Sequence, residues 1–330
     1  MGRILLFTTG GTIATVAAAG DRSRAPKLGG EEVAGLLPEG AAGRRDIEVV
    51  ELGLVPSTAV TPRLAFDWAC EVERRLSDAD ARGAVVTMGT NAMEEAAYLL
   101  DLKLDGGKPV VVTGSMKLPG EPLSDAGRNL AAAVAAARDP RLAGAGVVVV
   151  MNDEVHLARE VTKADSRALD AFVSPGVGPL GRFLDRGGRA GPELRIGRHV
   201  AAAARMPAAG LEENVGYVKV VLGGDGLLID ALVDHGAHGI VIEATGEGSA
   251  TEAMAPAIER AIGAGVVIVV ASRALTGGTL PQYTERGESR WLADRGALFA
   301  GRLSGPKARI RLMFALSSDV RPQTWFPEDA

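Results

Sequence analysis

The chain has 330 residues, which exceeds one small core and suits two domains of ordinary size. Hydrophobic residues make up 47% and charged residues 23%, a globular balance that excludes wholesale disorder. A net charge of -5 argues against a phosphate-binding surface, so nucleic acid is not an expected partner. The single cysteine, Cys70, excludes an intrachain disulfide and fits a reducing compartment. The apolar run at Ile4–Phe7 is far shorter than a signal-peptide core, and no apolar stretch approaches the roughly 20 residues of a membrane span. The expected location is the cytoplasm, with no membrane partner.

The elements follow in chain order. Short apolar runs occur at Ile4–Phe7, Ala84–Val86, Val110–Val112, Val147–Met151, Val218–Leu222 (interrupted by Lys219), Ile240–Ile242 and Val266–Val270. Continuous β-branched runs indicate strands buried on both faces. Helical patterns lie between them, at Asn91–Leu102 with Met93, Ala96, Ala97 and Leu100 on one face, and at Leu130–Ala137. Strands alternating with helices predict an α/β fold with a mainly parallel sheet in each domain. Residues 17–30 are small and polar and read as a mobile loop. The glycine- and arginine-rich stretch 180–215 interrupts the rhythm and reads as part hairpin, part linker. This divides the chain into an amino-terminal domain (1–197), a linker (198–215) and a carboxyl-terminal domain (216–330).

In open parallel sheets ligands bind beyond the carboxyl ends of the strands. Those ends read Thr8-Thr9-Gly10-Gly11-Thr12, Thr87-Met88-Gly89-Thr90-Asn91, Thr113-Gly114-Ser115-Met116-Lys117 and Asn152-Asp153-Glu154. Glycine lets backbone approach a ligand, and hydroxyls serve as nucleophiles or donors. A hydroxyl nucleophile needs activation, and no histidine lies in these turns. A near-neutral lysine is the other route. Lysine is scarce, seven against 29 arginines, which draws attention to Lys163 in Val161-Thr162-Lys163-Ala164-Asp165. Each candidate also has a structural reading. Lys163 could be solvated, Thr12 could open a turn, and Asn91 with Glu94 has the form of a capping box. His235 and His238 could share a helix face, but four histidines and one cysteine make no case for zinc, and the reading taken is a solvated helix end.

Together the turns resemble the bacterial L-asparaginase/glutaminase family over nearly the whole chain. Ile4–Ala14 resembles its first signature, ending Thr9-Gly10-Gly11-Thr12-Ile13-Ala14. Val85–Leu102, with Thr87-Met88-Gly89-Thr90-Asn91-Ala92-Met93-Glu94-Glu95-Ala96-Ala97, resembles its second. Asp125–Leu130 and Val148–Lys163 resemble two further segments, and the charged loop before Pro26 is similar to the actinobacterial branch. The resemblance implies a cytoplasmic amidohydrolase of two α/β domains. It would be a homodimer or homotetramer whose sites join one subunit's amino-terminal domain to a neighbour's carboxyl-terminal domain. It implies Thr12 as nucleophile, forming an acyl-enzyme and releasing ammonia, with Thr90, Lys163 and the residue at Asn91 as a polar relay. Gly11, Ser57, Thr58, Gly89, Ser115, Ser249 and Glu285 would bind the substrate, a small amide such as L-asparagine. Glu288 is the alternative to Glu285. No metal or organic cofactor is implied.

The departures from the family pattern concern the grip on a free amino acid. The relay aspartate is Asn91, the histidine before the glycine is Met88, and Ser-x-Asp reads Ser57-Thr58-Ala59. The mobile-loop tyrosine has no counterpart around Ala25–Leu28, and Ser249 stands where the family has an asparagine. An ammonium facing no carboxylate in a shielded site costs up to several kcal/mol. The expected substrate is therefore L-asparagine or an asparagine-like amide. Rival readings are an ordinary L-asparaginase that tolerates Asn91, a non-catalytic paralogue that binds a small amide, and the amidase subunit of a tRNA-dependent complex.

Overall fold

The computed structural model describes residues 2–16, 27–38, 46–184, 193–198, 205–206 and 208–327. The chain divides into two compact units, Met1–Arg205 and Met206–Ala330, a division inside the glycine-rich stretch.

The first unit starts with β1 (Arg3–Thr8), α1 (Gly30–Ala34), β2 (Ile47–Glu51), α2 (Pro62–Leu76) and β3 (Ala81–Thr87). It continues with α3 (Met93–Lys103), β4 (Val110–Thr113), α4 (Ala126–Ala137), β5 (Val147–Met151) and β6 (Glu154–Leu157). A small pair, β7 (Thr162–Lys163) and β8 (Phe172–Val173), precedes β9 (Gly181–Leu184) and β10 (Glu193–Ile196). The main sheet has eight strands in the order β10-β9-β6-β5-β4-β3-β1-β2. Its β2, β1, β3, β4 and β5 are parallel, and β6, β9 and β10 extend it antiparallel. The fold is α/β with a mainly parallel sheet, as the apolar runs predict.

Burial on both faces explains those runs. Ile4, Leu6, Val85, Val111 and Val148 share a core with Val33 of α1 and Leu130 and Val134 of α4. Side chains alternate along a strand, so Leu5, Phe7, Val86, Val112 and Val149 turn the other way. They too are fully buried, on the face where α2 and α3 pack together. The alanines of α4 let it lie close on the strands.

The second unit alternates β11 (Val215–Lys219), α5 (Leu227–Asp234), β12 (Gly239–Ala244), α6 (Ala255–Gly263), β13 (Val267–Ser272), α7 (Ser289–Asp294), β14 (Leu298–Phe299) and α8 (Gly305–Leu316). Its four strands pair in sequence order, all parallel.

Three readings need correction. The apolar run at Val218–Leu222 is not a strand throughout. β11 ends at Lys219, and Val221 and Leu222 are exposed, 54% and 103%. His235 and His238 share no helix face, although His235 is the exposed helix end that the sequence suggests. His235 caps the carboxyl end of α5, while His238 lies beyond Gly236, which takes positive φ, and its Nδ1 is 2.9 Å from Glu212 Oε2. The capping box at Asn91 is absent, since Ala92 is the N-cap of α3 and no side chain caps it. The hairpin predicted within 180–215 is present as β9 and β10, which pair antiparallel. Most of the predicted mobile loop, residues 17–26, lies outside the described residues. Its carboxyl end is tied down, with Leu28 N–H donating to Ala14 O at 2.9 Å and Lys27 Nζ to Thr15 Oγ1 at 2.9 Å. Among the described residues no helix is long and apolar enough to cross a membrane.

Buried polar groups hold the strand ends in place. Asn129 is fully buried, donates to Gly114 O at 3.0 Å and Asp125 Oδ2 at 2.9 Å, and accepts from Asn152 N–H at 3.0 Å. Asp125 also accepts the N–H groups of Met116 and Lys117. Asn129→Ala leaves several of these groups unpaired and is expected to destabilise the first unit by about 2–4 kcal/mol. Denaturant unfolding of parent and variant measures this.

Candidate active site

The turns after β1 and β3 meet through glycines. Gly10 and Gly11 have φ of 102° and 84°, a region that L side chains rarely adopt. A Cβ on Gly11 would stand 2.3 Å from Gly89 Cα, and one on Gly89 would stand 2.6 Å from Ser57 Cβ. Three candidate segments, 10–12, 57–59 and 88–91, are thus in van der Waals contact. Threonine hydroxyls bind neighbouring strands together. Thr9 Oγ1 donates to Thr87 O at 3.0 Å, and Thr113 Oγ1 to Val150 O at 2.8 Å.

Thr12 follows Gly11 and opens a single helical turn, Thr12–Ala14. It is half-buried, and among the described residues its side chain makes no hydrogen bond. The N–H groups of Gly11, Thr12, Gly89 and Thr90 donate to no backbone carbonyl among the described residues. Ser57 is half-buried in a short helical turn, and Thr58 beside it is exposed. Ser115 is fully buried, and its Oγ finds no hydrogen-bond partner among the described residues.

Lys163 connects β7 to the second turn. Its Nζ donates to Thr90 Oγ1 at 2.8 Å and to Asn91 Oδ1 at 3.1 Å. Thr90 is buried and Asn91 exposed. Desolvation holds the Lys163 ammonium below the ordinary lysine range, and the carboxylates of Asp165 and Glu94 oppose this. Both oxygens touching Nζ are neutral, so this lysine lies closer to the unprotonated state than a solvated one.

The structure therefore brings together Gly11, Ser57, Gly89, Thr90, Asn91 and Lys163. No hydrogen bond joins Thr12 to Thr90 or Lys163 among the described residues. Ser249 and Glu285 belong to the second unit. Ser249 closes a tight turn with Thr245, and Glu285 is exposed. Their segments touch, because Ala250 N–H donates to Gly287 O at 3.0 Å. Sequence reasoning missed Glu94, whose carboxylate binds across to Thr162 and Lys163. Its place in the first turn of α3 suggests a helix-end charge and conceals the longer-range contact.

Residues 3–191 match the asparaginase amino-terminal domain family, and residues 214–325 match the glutaminase/asparaginase carboxyl-terminal domain family. The chain belongs to the asparaginase family. It is 36% identical over 319 residues to an L-asparaginase of Bacillus licheniformis, covering 96% of both chains. It is 32% identical to L-asparaginase 2 of Bacillus subtilis, covering 97% of this chain and 84% of the relative. Its structure is similar to that of a probable cytoplasmic L-asparaginase from Campylobacter jejuni, with a TM-score of 0.85, 27% identity, and coverage of 100% of this chain and 98% of the other.

The depressed proton affinity of Lys163 has a direct readout. In ¹⁵N- and ¹³C-lysine-labelled protein, the resonance lost in Lys163→Met should titrate below the ordinary lysine range. A titration within that range would contradict the desolvated site.

Proposed function

We propose that this chain is an L-asparaginase-type amidohydrolase, with Thr12 as nucleophile, that converts a small carboxamide into carboxylate and ammonia. The carrying observation is the 2.8 Å hydrogen bond between Lys163 Nζ and Thr90 Oγ1, beside the Gly11–Gly89 contact. Membership of a family with named L-asparaginases over nearly the whole chain supports the same reading.

Thr12 Oγ attacks the amide carbon, and its proton passes through Thr90 to Lys163. The N–H groups around Gly11 and Gly89 stabilise the oxyanion. Lysinium then protonates the leaving nitrogen, the C–N bond breaks and ammonia departs. Water, deprotonated by the same relay, attacks the Thr12 ester and frees the carboxylate and the hydroxyl. A base used this way works best with a proton affinity nearer neutrality than a solvated lysine's. Desolvation of Lys163 acts in that direction.

The finer substrate follows from Asn91. At that position the chain offers an ammonium-bearing substrate a neutral amide, which accepts a hydrogen bond but carries no charge. An asparagine-like amide with its amino group blocked presents no ammonium that would lack a facing carboxylate there. Ser57 and Thr58 are assigned to the substrate's carboxylate, and the backbone at Ser115 to the amide. Ser249 and Glu285 are assigned to a neighbouring copy in a homodimer or homotetramer. Cytoplasmic residence is part of this reading and rests on the single cysteine and the likeness to the Campylobacter protein.

Ammonia release from L-asparagine, L-glutamine and N-acylated asparagine tests the reading. Thr12→Ala should abolish it, a loss of about a thousandfold or more. Retained turnover in Thr12→Ala would remove Thr12 from the chemistry. Asn91→Asp should create or greatly raise activity on free L-asparagine. Efficient parent turnover of L-asparagine, unchanged by Asn91→Asp, would overturn the substrate assignment and leave an ordinary L-asparaginase.

A further inference from the structure

Lys163 sits on a very short support. β7 has two residues, Thr162 and Lys163, which among the described residues pair only with Val173 and Phe172 of β8. A two-residue ladder does little to fix where a long, flexible side chain points. The structure supplies a second support from the segment that the lysine serves. Glu94 Oε2 accepts the backbone N–H of Lys163 at 2.6 Å and the hydroxyl of Thr162 at 2.7 Å. Thr90 and Asn91, which receive Nζ, lie just upstream of Glu94. Segment 90–94 therefore grips Lys163 at both ends, by its backbone through Glu94 and by its Nζ through Thr90 and Asn91.

We propose that Glu94 is a positioning residue for amide cleavage, holding Lys163 by its backbone so that Nζ meets Thr90 Oγ1. The proposal rests on the reading of Lys163 as the relay base. Glu94 does not cap α3, whose N-cap is Ala92 with no side-chain bond. A carboxylate in the first turn is favoured by the helix dipole whatever it touches. That accounts for its tolerance there but not for its two bonds to residues 68 and 69 positions away.

Glu94 also has an electrostatic effect. Among the described residues, the charged groups acting on Lys163 are Asp165 on its own segment and Glu94 on α3, both favouring the ammonium. Phe172 and Val173 of β8 do not titrate, and the oxygens at Nζ are neutral. Removing the charge of Glu94 should therefore shift Lys163 further towards its neutral form.

Glu94→Gln and Glu94→Ala separate the two effects. A glutamine oxygen can accept the same two hydrogen bonds without the charge, whereas alanine removes both. The measurements are kcat, KM, thermal midpoint and the lysine NMR titration, on the full chain. Glu94→Ala should lower kcat by about 10- to 100-fold, the scale expected when a reacting group is misplaced by about an ångström. KM should change much less. Glu94→Gln should recover most of that kcat, and both the Lys163 titration and the acid limb of kcat/KM should move to lower pH. A parent-like kcat in Glu94→Ala would overturn the proposal. So would a fall in kcat that follows the thermal midpoint while Glu94→Gln leaves the Lys163 titration in place. A parent inactive on every amide would defeat the functional reading instead, and the NMR titration would still decide whether Glu94 governs Lys163.

Discussion

The hydrogen bond from Lys163 Nζ to Thr90 Oγ1 is the interaction on which the site depends. An ammonium in bulk water holds its proton too firmly to act as a base. Partial burial weakens that hold, and in the proposed reaction the hydroxyl at hydrogen-bond distance is what the lysine activates. The chain has seven lysines, and this one reaches its place from β7, outside the main sheet. Much of the first unit's local structure positions it. Glu94 fixes its backbone, Asn91 shares its Nζ, and β3 and α3 fix the turn that carries Thr90.

A second constraint is steric. Gly11 and Gly89 approach so closely that a methyl group on Gly11 would overlap the other turn's backbone. Thr12 is thereby held beside the segment carrying Thr90, and among the described residues its side chain makes no hydrogen bond. The parallel order of β1, β3, β4 and β5 places their turns along one edge of the sheet. Buried Asn129 and Asp125 then hold the turn after β4 and the start of the turn after β5.

Much of this was legible in the sequence because burial on both faces leaves a strong signature. The runs at Ile4–Phe7, Val110–Val112 and Val147–Met151 are strands for that reason. Val218–Leu222 misled because hydrophobicity alone does not say where pairing stops. β11 begins at Val215 and leaves its sheet after Lys219, exposing Val221 and Leu222. Thr12, Thr90 and Lys163 stood out as residue types in suggestive places. Only the fold shows that Lys163 and Thr90, 73 positions apart, are hydrogen-bonded. Glu94 was illegible because a carboxylate near a helix start has a sufficient local explanation. Its true partners come from a strand 68 positions away, a distance that no local pattern encodes.

In the proposed function, Asn91 separates the chemistry from the choice of substrate. In the proposed reaction Thr12, Thr90 and Lys163 supply attack and proton transfer, while residue 91 touches the lysine and is exposed. On that proposal, a neutral side chain there would leave the cleavage chemistry in place and change which amide is favoured. The central claim is that Thr12 carries the acyl group, and rapid-quench peptide mass spectrometry during turnover tests it most directly. The account predicts an acyl adduct on Thr12, absent from Thr12→Ala. An adduct on Thr90 or another residue, persisting in Thr12→Ala, would contradict it.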